Sequence, residues 1–358
     1  MNRSAILEAI TPSRIGGAEV FVANLCAELS KLGSYVELWC PKDRPFEAYA
    51  REKGLAPKTW KTFGKLDPLT VVRLARLIKQ GRFDAVHTHL STASLLGAFA
   101  SRLARRPSIA HVHGLNTATC FKYSSRIIAV SDAVRRHLAA QGIPAERIRV
   151  VHNGVDVQAY QPVDLEKAKN DFGYEPDAPL FGVFGRLSPE KGQRVAIEAM
   201  FLIQDDIPNA RLVIAGDGPE RESLLTCARV LGVADRVDFV GFVKDVRHLM
   251  SACDVVVVPS LKEGFGLVAV EAMALERPVA ASATGGLPEI VLQGETGILV
   301  APEDPKALAQ ALLELAQDAE LRSRLGRNGR RRVEEEFNLS KQSEKILQIL
   351  MEPHTGGG

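Results

Sequence analysis

Short apolar runs recur along the chain, separated by stretches whose apolar positions repeat at helical spacing. The runs fall at residues 5–9, 35–40, 84–88, 108–112, 126–130 and 149–151, and again at 180–185, 211–216, 237–241, 254–259, 278–282 and 297–300. They are rich in Val, Ile and Ala and apolar at consecutive positions, the pattern of parallel strands buried on both faces. Helical segments of about 10–15 residues between many of them imply βαβ units, hence an α/β fold with doubly wound parallel sheets. One helix can be placed closely. Asp67 caps it, Pro68 opens it, and it runs to about Gln80 with Val71, Leu74, Ala75 and Ile78 on one face.

Between the two series of runs lies Asn153-Gly154-Val155-Asp156, followed by a polar stretch to Pro179 that holds Pro162, Gly173 and Pro176. The hinge is expected there, with one domain over residues 1–160 and a second over 161–335. A charged helix is expected at 334–351, and the segment 336–358 ends in a frayed Gly-rich tail. With 358 residues, 46% of them hydrophobic and 25% charged, the chain has the size and composition of two globular domains. It has no apolar run near the roughly 20 residues that span a bilayer, and its start lacks the apolar core of a signal peptide. A cytoplasmic location is expected. The five cysteines, Cys26, Cys40, Cys120, Cys227 and Cys253, are scattered and read as reduced.

The net charge of +2 conceals an asymmetry. Residues up to Val155 hold 23 Lys and Arg against 11 Asp and Glu, a balance of +12, which leaves −10 for the rest. The basic half should face something anionic. Lys58, Trp60, Lys61, Phe63, Lys65 and Leu66 interleave basic with apolar residues just before the helix at 67–80, whose other faces carry Arg73, Arg76 and Lys79. Such a segment suits an anionic membrane surface, or simply the solvated face of a Rossmann helix. No nucleic-acid motif accompanies the charge, so nucleic acid is not an expected partner.

Four segments carry candidate chemistry. Glu263-Gly264-Phe265-Gly266-Leu267-Val268-Ala269-Val270-Glu271-Ala272-Met273 follows the run at 254–259. Its glycines fall where a strand turns into a helix, whose unpaired N–H groups form a phosphate site. Two carboxylates beside a phosphate would repel it, so Glu263 and Glu271 should accept hydrogen bonds from sugar hydroxyls on the same ligand. Gly185-Arg186-Leu187-Ser188-Pro189-Glu190-Lys191-Gly192 follows the run at 180–185 and places Arg186 and Lys191 where a diphosphate could be clamped. Gly16-Gly17-Ala18-Glu19 opens a helix after the first run, as a plain tight turn or as a donor of backbone N–H groups to a phosphate; it is neither a dinucleotide fingerprint nor a Walker loop. Two His-x-His pairs, His87/His89 and His111/His113, end adjacent strands. No acidic or cysteine partner stands at ligand spacing in the sequence, so no metal is expected, and His113 is the candidate for a functional position.

Taken in order, Gly16-Gly17, His113-Gly114, Val130-Ser131, Asn153-Gly154-Val155-Asp156, Gly185-Arg186 with Lys191-Gly192, Gly216-Asp217-Gly218-Pro219, Glu263 to Glu271, and Gly285-Gly286-Leu287-Pro288-Glu289 resemble the retaining nucleotide-sugar glycosyltransferases with a Glu-(seven residues)-Glu motif, the family 4 type. The resemblance covers nearly the whole chain. It implies the GT-B architecture, two Rossmann-like domains facing across a cleft, with the acceptor on the N-terminal domain and the nucleotide sugar on the C-terminal one. It also implies that the terminal helix crosses back to the N-terminal domain. Arg186 and Lys191 would neutralise the diphosphate, Glu271 would accept from the ribose and Glu263 from the sugar. The backbone of Gly266 and Leu267 would meet the phosphate, His113 would lie at the reacting face of the sugar, and the backbone near Phe242 and Val243 would lie by the base. No cofactor or metal is implied. The donor is expected to be a UDP-sugar and the acceptor a cell-envelope glycan or glycolipid such as lipopolysaccharide. GDP-mannose-dependent transfer and a GT-B sugar phosphorylase or epimerase are the alternatives. Only about a dozen residues separate His113-Gly114 from the run at Ile127, where many relatives carry a longer loop and helix that shape the acceptor site.

Overall fold

The computed structural model describes residues 3–353. The tail beyond Pro353 and the first two residues lie outside the described residues. The chain forms two compact units, residues 1–154 joined by 339–358, and residues 155–338.

The first unit is built on a parallel sheet of β1 (Ala5–Ile10), β2 (Tyr35–Pro41), β3 (Lys58–Trp60), β4 (Ala85–His89), β5 (Ser108–Val112), β6 (Arg126–Ala129) and β7 (Ile148–Val150), in the order β3-β2-β1-β4-β5-β6-β7. The apolar runs are continuous because helices cover both faces: Ile6 and Ile10 of β1 enter one core cluster, while Leu7 and Ala9 enter the opposite one. β3 was not expected. It is a three-residue edge strand with an exposed lysine and no buried position.

The second unit has β8 (Leu180–Phe184), β9 (Arg211–Ala215), β10 (Val237–Gly241), β11 (Val255–Val258), β12 (Val279–Ser282) and β13 (Gly297–Val300), all parallel, in the order β10-β9-β8-β11-β12-β13. Both sheets are Rossmann-like. In each, the chain reverses its direction of growth between two central neighbours, β1/β4 in the first unit and β8/β11 in the second, and ligands of such sheets bind at the carboxyl ends of these strands.

The division after Gly154 comes earlier than the expected boundary at residue 160. The intervening residues belong to the second unit: the Val155 N–H donates to the Phe337 carbonyl at 2.9 Å, and Arg330 donates to the Tyr160 carbonyl. The expected single helix at 334–351 is two helices, Ala319–Glu336 and Leu339–Met351, broken at Phe337, which is fully buried. The last helix belongs to the first unit. Its Leu339, Ile346, Ile349 and Leu350 share a core with Phe21, Val22 and Leu25 of the helix Gly17–Lys31, and Arg126 binds the carbonyls of Ile349, Glu352 and Pro353. Burying such side chains stabilises by about 1.5–3 kcal/mol each, so this short helix is held by packing.

Beneath β8 and β11 lies a buried ion pair. Lys169 Nζ sits 2.7 Å from Asp254 Oδ2 and also donates to the carbonyls of Pro176 and Ala178, and the same carboxylate oxygen accepts from the Leu180 N–H at 2.8 Å.

Candidate functional site

The loops that leave β8 and β11 are stitched to each other. The N–H groups of Leu261 and Lys262 donate to the Glu190 carbonyl at 2.9 and 3.2 Å. Gly192 admits this approach: at φ +65° it is in the left-handed region, and a Cβ there would lie 2.0 Å from the Pro259 carbonyl oxygen. Gly285, after β12, does the same for the other end of the second loop. Its φ is +55°, a Cβ would fall 1.7 Å from the Glu263 carbonyl oxygen, and the Gly286 N–H donates to that oxygen at 3.2 Å.

These contacts set the charged groups. Lys191 Nζ lies 2.6 Å from Glu263 Oε2, which also accepts from the Ser260 hydroxyl at 3.1 Å. Arg186 projects as an exposed guanidinium from a backbone held through its carbonyl by Gln193 at 2.7 Å. Gly266 starts the helix Leu267–Ala274 with no side chain capping it, so the first N–H groups and the positive end of the helix dipole point out of the helix start. Thus Arg186, Lys191, Glu263, Gly266 and Leu267 all belong to the β8 and β11 loops at the carboxyl edge of the second sheet. Phe242 and Val243 follow β10; Phe242 is 72% exposed, and the neighbouring Gly241 carbonyl accepts from Gly216, just after β9.

Glu271, a turn inside the helix, is partly buried, and burial pushes its carboxyl up to about 7; the Tyr160 hydroxyl and Arg247 act against that rise, and Asp245 adds to it. Tyr160 donates to Glu271 Oε1 at 2.8 Å, while the Arg247 guanidinium stands over its ring at 5.9 Å. Sequence reasoning missed Tyr160. The polar segment after Asp156 is where a signal lay, but nothing in that segment shows that its tyrosine reaches a carboxylate 111 positions away.

In the first unit, Gly16 caps the helix Gly17–Lys31, and its N–H already donates to Glu19 Oε2 at 2.9 Å. Gly16, expected to offer this N–H to a phosphate, here gives it to Glu19, three residues on, whose carboxylate caps the helix start alone because glycine has no side chain to return the bond. His113 is partly buried just past β5, and burial pushes its imidazole down to about 3, so it is neutral. It does not stand alone. His113 Nε2 lies 3.0 Å from His89 Nδ1, and His89 Nε2 lies 2.7 Å from Glu8 Oε2. The other Glu8 oxygen meets His87 Nδ1 at 2.9 Å, and His87 Nε2 lies 3.3 Å from His111 Nδ1. The sequence offers these histidines no acidic partner at ligand spacing, yet the fold supplies one. Glu8 is far away in sequence, but β1 and β4 pair in register with Glu8 opposite His87.

Comparison with known proteins fits this geometry. Residues 15–159 match Glycosyltransferase Family 4, and residues 164–332 match Glycosyl transferases group 1. An uncharacterized glycosyltransferase of Methanocaldococcus jannaschii is 30% identical over 300 residues, 76% of each chain. A D-inositol 3-phosphate glycosyltransferase of Frankia alni is 30% identical over 87% of this chain and 88% of its own. The crystal structure of Alr3699/HepE from Anabaena in complex with UDP and glucose superposes with a TM-score of 0.87 at 27% identity, covering 97% of this chain and 99% of that one. The same protein has also been solved with UDP-glucose. Two Rossmann-like units, the order of the site loops and these matches establish the assignment: the chain belongs to the GT-B glycosyltransferases of group 1 and family 4.

Proposed function

We propose that the protein is a retaining hexosyltransferase that moves a hexosyl unit from a UDP-sugar, held by the second unit, to a cell-envelope glycan or glycolipid held by the first. The observation that carries this reading is the meeting of Arg186, Lys191, Glu263 and an uncapped helix start on two stitched loops at the β8/β11 edge. Two cations and a dipole suit a diphosphate, and the two carboxylates suit the hydroxyls of its ribose and sugar. The UDP complexes of Alr3699/HepE favour uridine over guanosine as the base. The bond from the anomeric carbon to the diphosphate breaks and the bond to the acceptor oxygen forms on the same face, with the acceptor proton passing to the leaving phosphate. Arg186 and Lys191 stabilise the charge that builds on the diphosphate, and no metal is needed for the chemistry.

Glu271 gives this reading a pH signature. An ionised carboxylate accepts ribose hydrogen bonds through both oxygens and more strongly than a protonated carboxyl, and the Glu271 carboxyl is held up to about 7. UDP affinity should therefore rise as pH climbs through 7. The unliganded fold behaves oppositely. The folded state holds this proton more tightly than the unfolded one, so Glu271 costs stability as pH rises from the ordinary carboxylate range to about 7, and nothing further above. Calorimetric titration of UDP from pH 6 to 8 against Glu271→Gln cancels the ligand's own ionisation. A pH profile unchanged by that substitution would remove Glu271 from the ribose site.

The surface of the first unit favours a membrane-borne acceptor. Phe63 and Leu66 are 78% and 79% exposed, Leu69 and Val72 are also exposed, and Lys61, Lys65, Arg73 and Arg76 are exposed around them. Apolar side chains ringed by cations match an anionic bilayer, at about 1 kcal/mol per basic residue near the surface. This patch would hold the enzyme peripherally on the inner face of the cell membrane. No helix of the described residues is long and apolar enough to cross a membrane. Co-sedimentation with phosphatidylglycerol vesicles, but not with neutral ones, is expected, with a loss of about tenfold in Phe63→Ser/Leu66→Ser. Equal binding to both vesicle types would end this reading and favour a soluble phosphorylated acceptor for the basic unit.

A further inference from the structure

The cluster of Glu8, His87, His89 and His111 has no part in donor binding, and its four side chains are too polar to stand in a core without a reason. All four side chains are fully buried, on the face of the first sheet that also carries Ile6 and Ile10. Among the described residues, neither Lys nor Arg pairs with the Glu8 carboxylate; only His87 and His89 do. A lone carboxylate in a core is costly unless a cation accompanies it.

We propose that these residues form a buried binding site for one divalent transition-metal ion of the zinc class, with His87, His89 and His111 as ligands and Glu8 as the carboxylate that orients them. Three observations meet here. Ring nitrogens of the three histidines lie within 4.8 Å of one another. The His87 Nε2 to His111 Nδ1 separation of 3.3 Å matches the edge of a tetrahedron whose centre is about 2.0–2.1 Å from each nitrogen. Glu8 grips His87 through Nδ1 and His89 through Nε2, the carboxylate–histidine–metal arrangement of known sites; His87 then turns Nε2 toward the ion, and His89 does so with Nδ1 by giving up its 3.0 Å contact with His113 Nε2. His111 Nε2 and His113 Nδ1 are buried with no partner, so the cluster is not saturated by its own hydrogen bonds. Imidazole sites of this kind take Zn²⁺, Co²⁺, Ni²⁺ or Cu²⁺. The ion would tie β1, β4 and β5 together at the strand reversal of the first unit, next to His113. This site stands on the first unit alone and does not depend on the donor chemistry.

The test uses the full chain without a histidine tag, stripped with chelator and given Co²⁺. One equivalent per chain is expected to survive desalting, with the visible bands of tetrahedral cobalt, which Zn²⁺ then bleaches, and with a rise of several degrees in Tm. Glu8→Gln preserves the side-chain volume and should weaken binding 10–100-fold. If it fails to fold by circular dichroism, His111→Asn serves the same purpose. A folded wild type that retains no Co²⁺, or Co²⁺ retained equally by a folded Glu8→Gln or His111→Asn variant, overturns the proposal and leaves the cluster a metal-free hydrogen-bond network.

Discussion

Lys191→Ala lowers kcat by about 10²–10³, with a much smaller change in KM, when transfer from UDP-glucose is followed by release of UDP. One preorganised group that stabilises developing charge contributes roughly 3 kcal/mol to the transition state, and the diphosphate gains its full charge only as the glycosidic bond breaks. The structure explains why the loss is concentrated on this residue. The ammonium is already placed, 2.6 Å from Glu263 Oε2, on a loop fixed by the Gly192 and Glu190 contacts, so little reorganisation is needed when the phosphate arrives. Arg186 is exposed and held only through its backbone, so Arg186→Ala should weaken donor binding more and turnover less. Lys191→Arg keeps the charge but changes its reach, and falls between. Unchanged turnover in Lys191→Ala would remove the residue from the leaving-group chemistry.

Lys169→Met destabilises the second unit by about 3–5 kcal/mol, the range for removing one partner of a buried pair. Lys169 is 1% exposed, and its three hydrogen-bond acceptors, Asp254 Oδ2 and the carbonyls of Pro176 and Ala178, have no water to turn to once it is gone. The Asp254 carboxylate is the larger part of the cost, because it keeps only the Leu180 N–H at 2.8 Å and the more distant Arg322 guanidinium at 3.8 Å. For a unit of this size the expected fall in Tm is roughly 6–20 °C. Two units of one chain need not unfold together, so the transition belongs to the second unit only if UDP shifts it. The double variant Lys169→Met/Asp254→Leu should recover much of the loss, because an apolar pair leaves no charge to desolvate. A single variant as stable as the wild type would mean that water reaches this pair.

The strands were legible in the sequence because burial on both faces writes itself into local composition. Each expected run became a strand within a residue or two of its bounds, and the Asp67 carboxylate caps the helix Pro68–Gly81 through the N–H groups of Leu69 and Thr70. Arg186, Lys191, Glu263 and Glu271 could be grouped because the βα turns of parallel strands open at one edge of a sheet. What escaped notice was set by contacts between distant positions. Glu8 looks like one polar residue in an apolar strand, and only the β1/β4 register places it opposite His87. Tyr160 reaches Glu271 only because residues 155–160 pack with the second unit. The break at Phe337 separates two charged helical patterns that read as one, and it is decided by the burial of the Phe337 ring. Gly16-Gly17 reads as a plain turn or as a phosphate donor, and only the fold shows that the Glu19 carboxylate takes the Gly16 N–H.

The central claim is that the second unit binds a uridine diphosphate sugar through the Arg186–Lys191 loop and the helix that begins at Leu267. Thermal unfolding of the full chain with UDP, GDP, ADP and inorganic phosphate tests it most directly. A ligand at 100 times its Kd stabilises by about 2.7 kcal/mol, a shift of several degrees. The account expects UDP to stabilise well above the others, and Lys191→Ala/Glu271→Gln to erase the shift while remaining folded. A folded wild type that none of the diphosphates stabilises, or a folded double variant that UDP stabilises as much as the wild type, would contradict it.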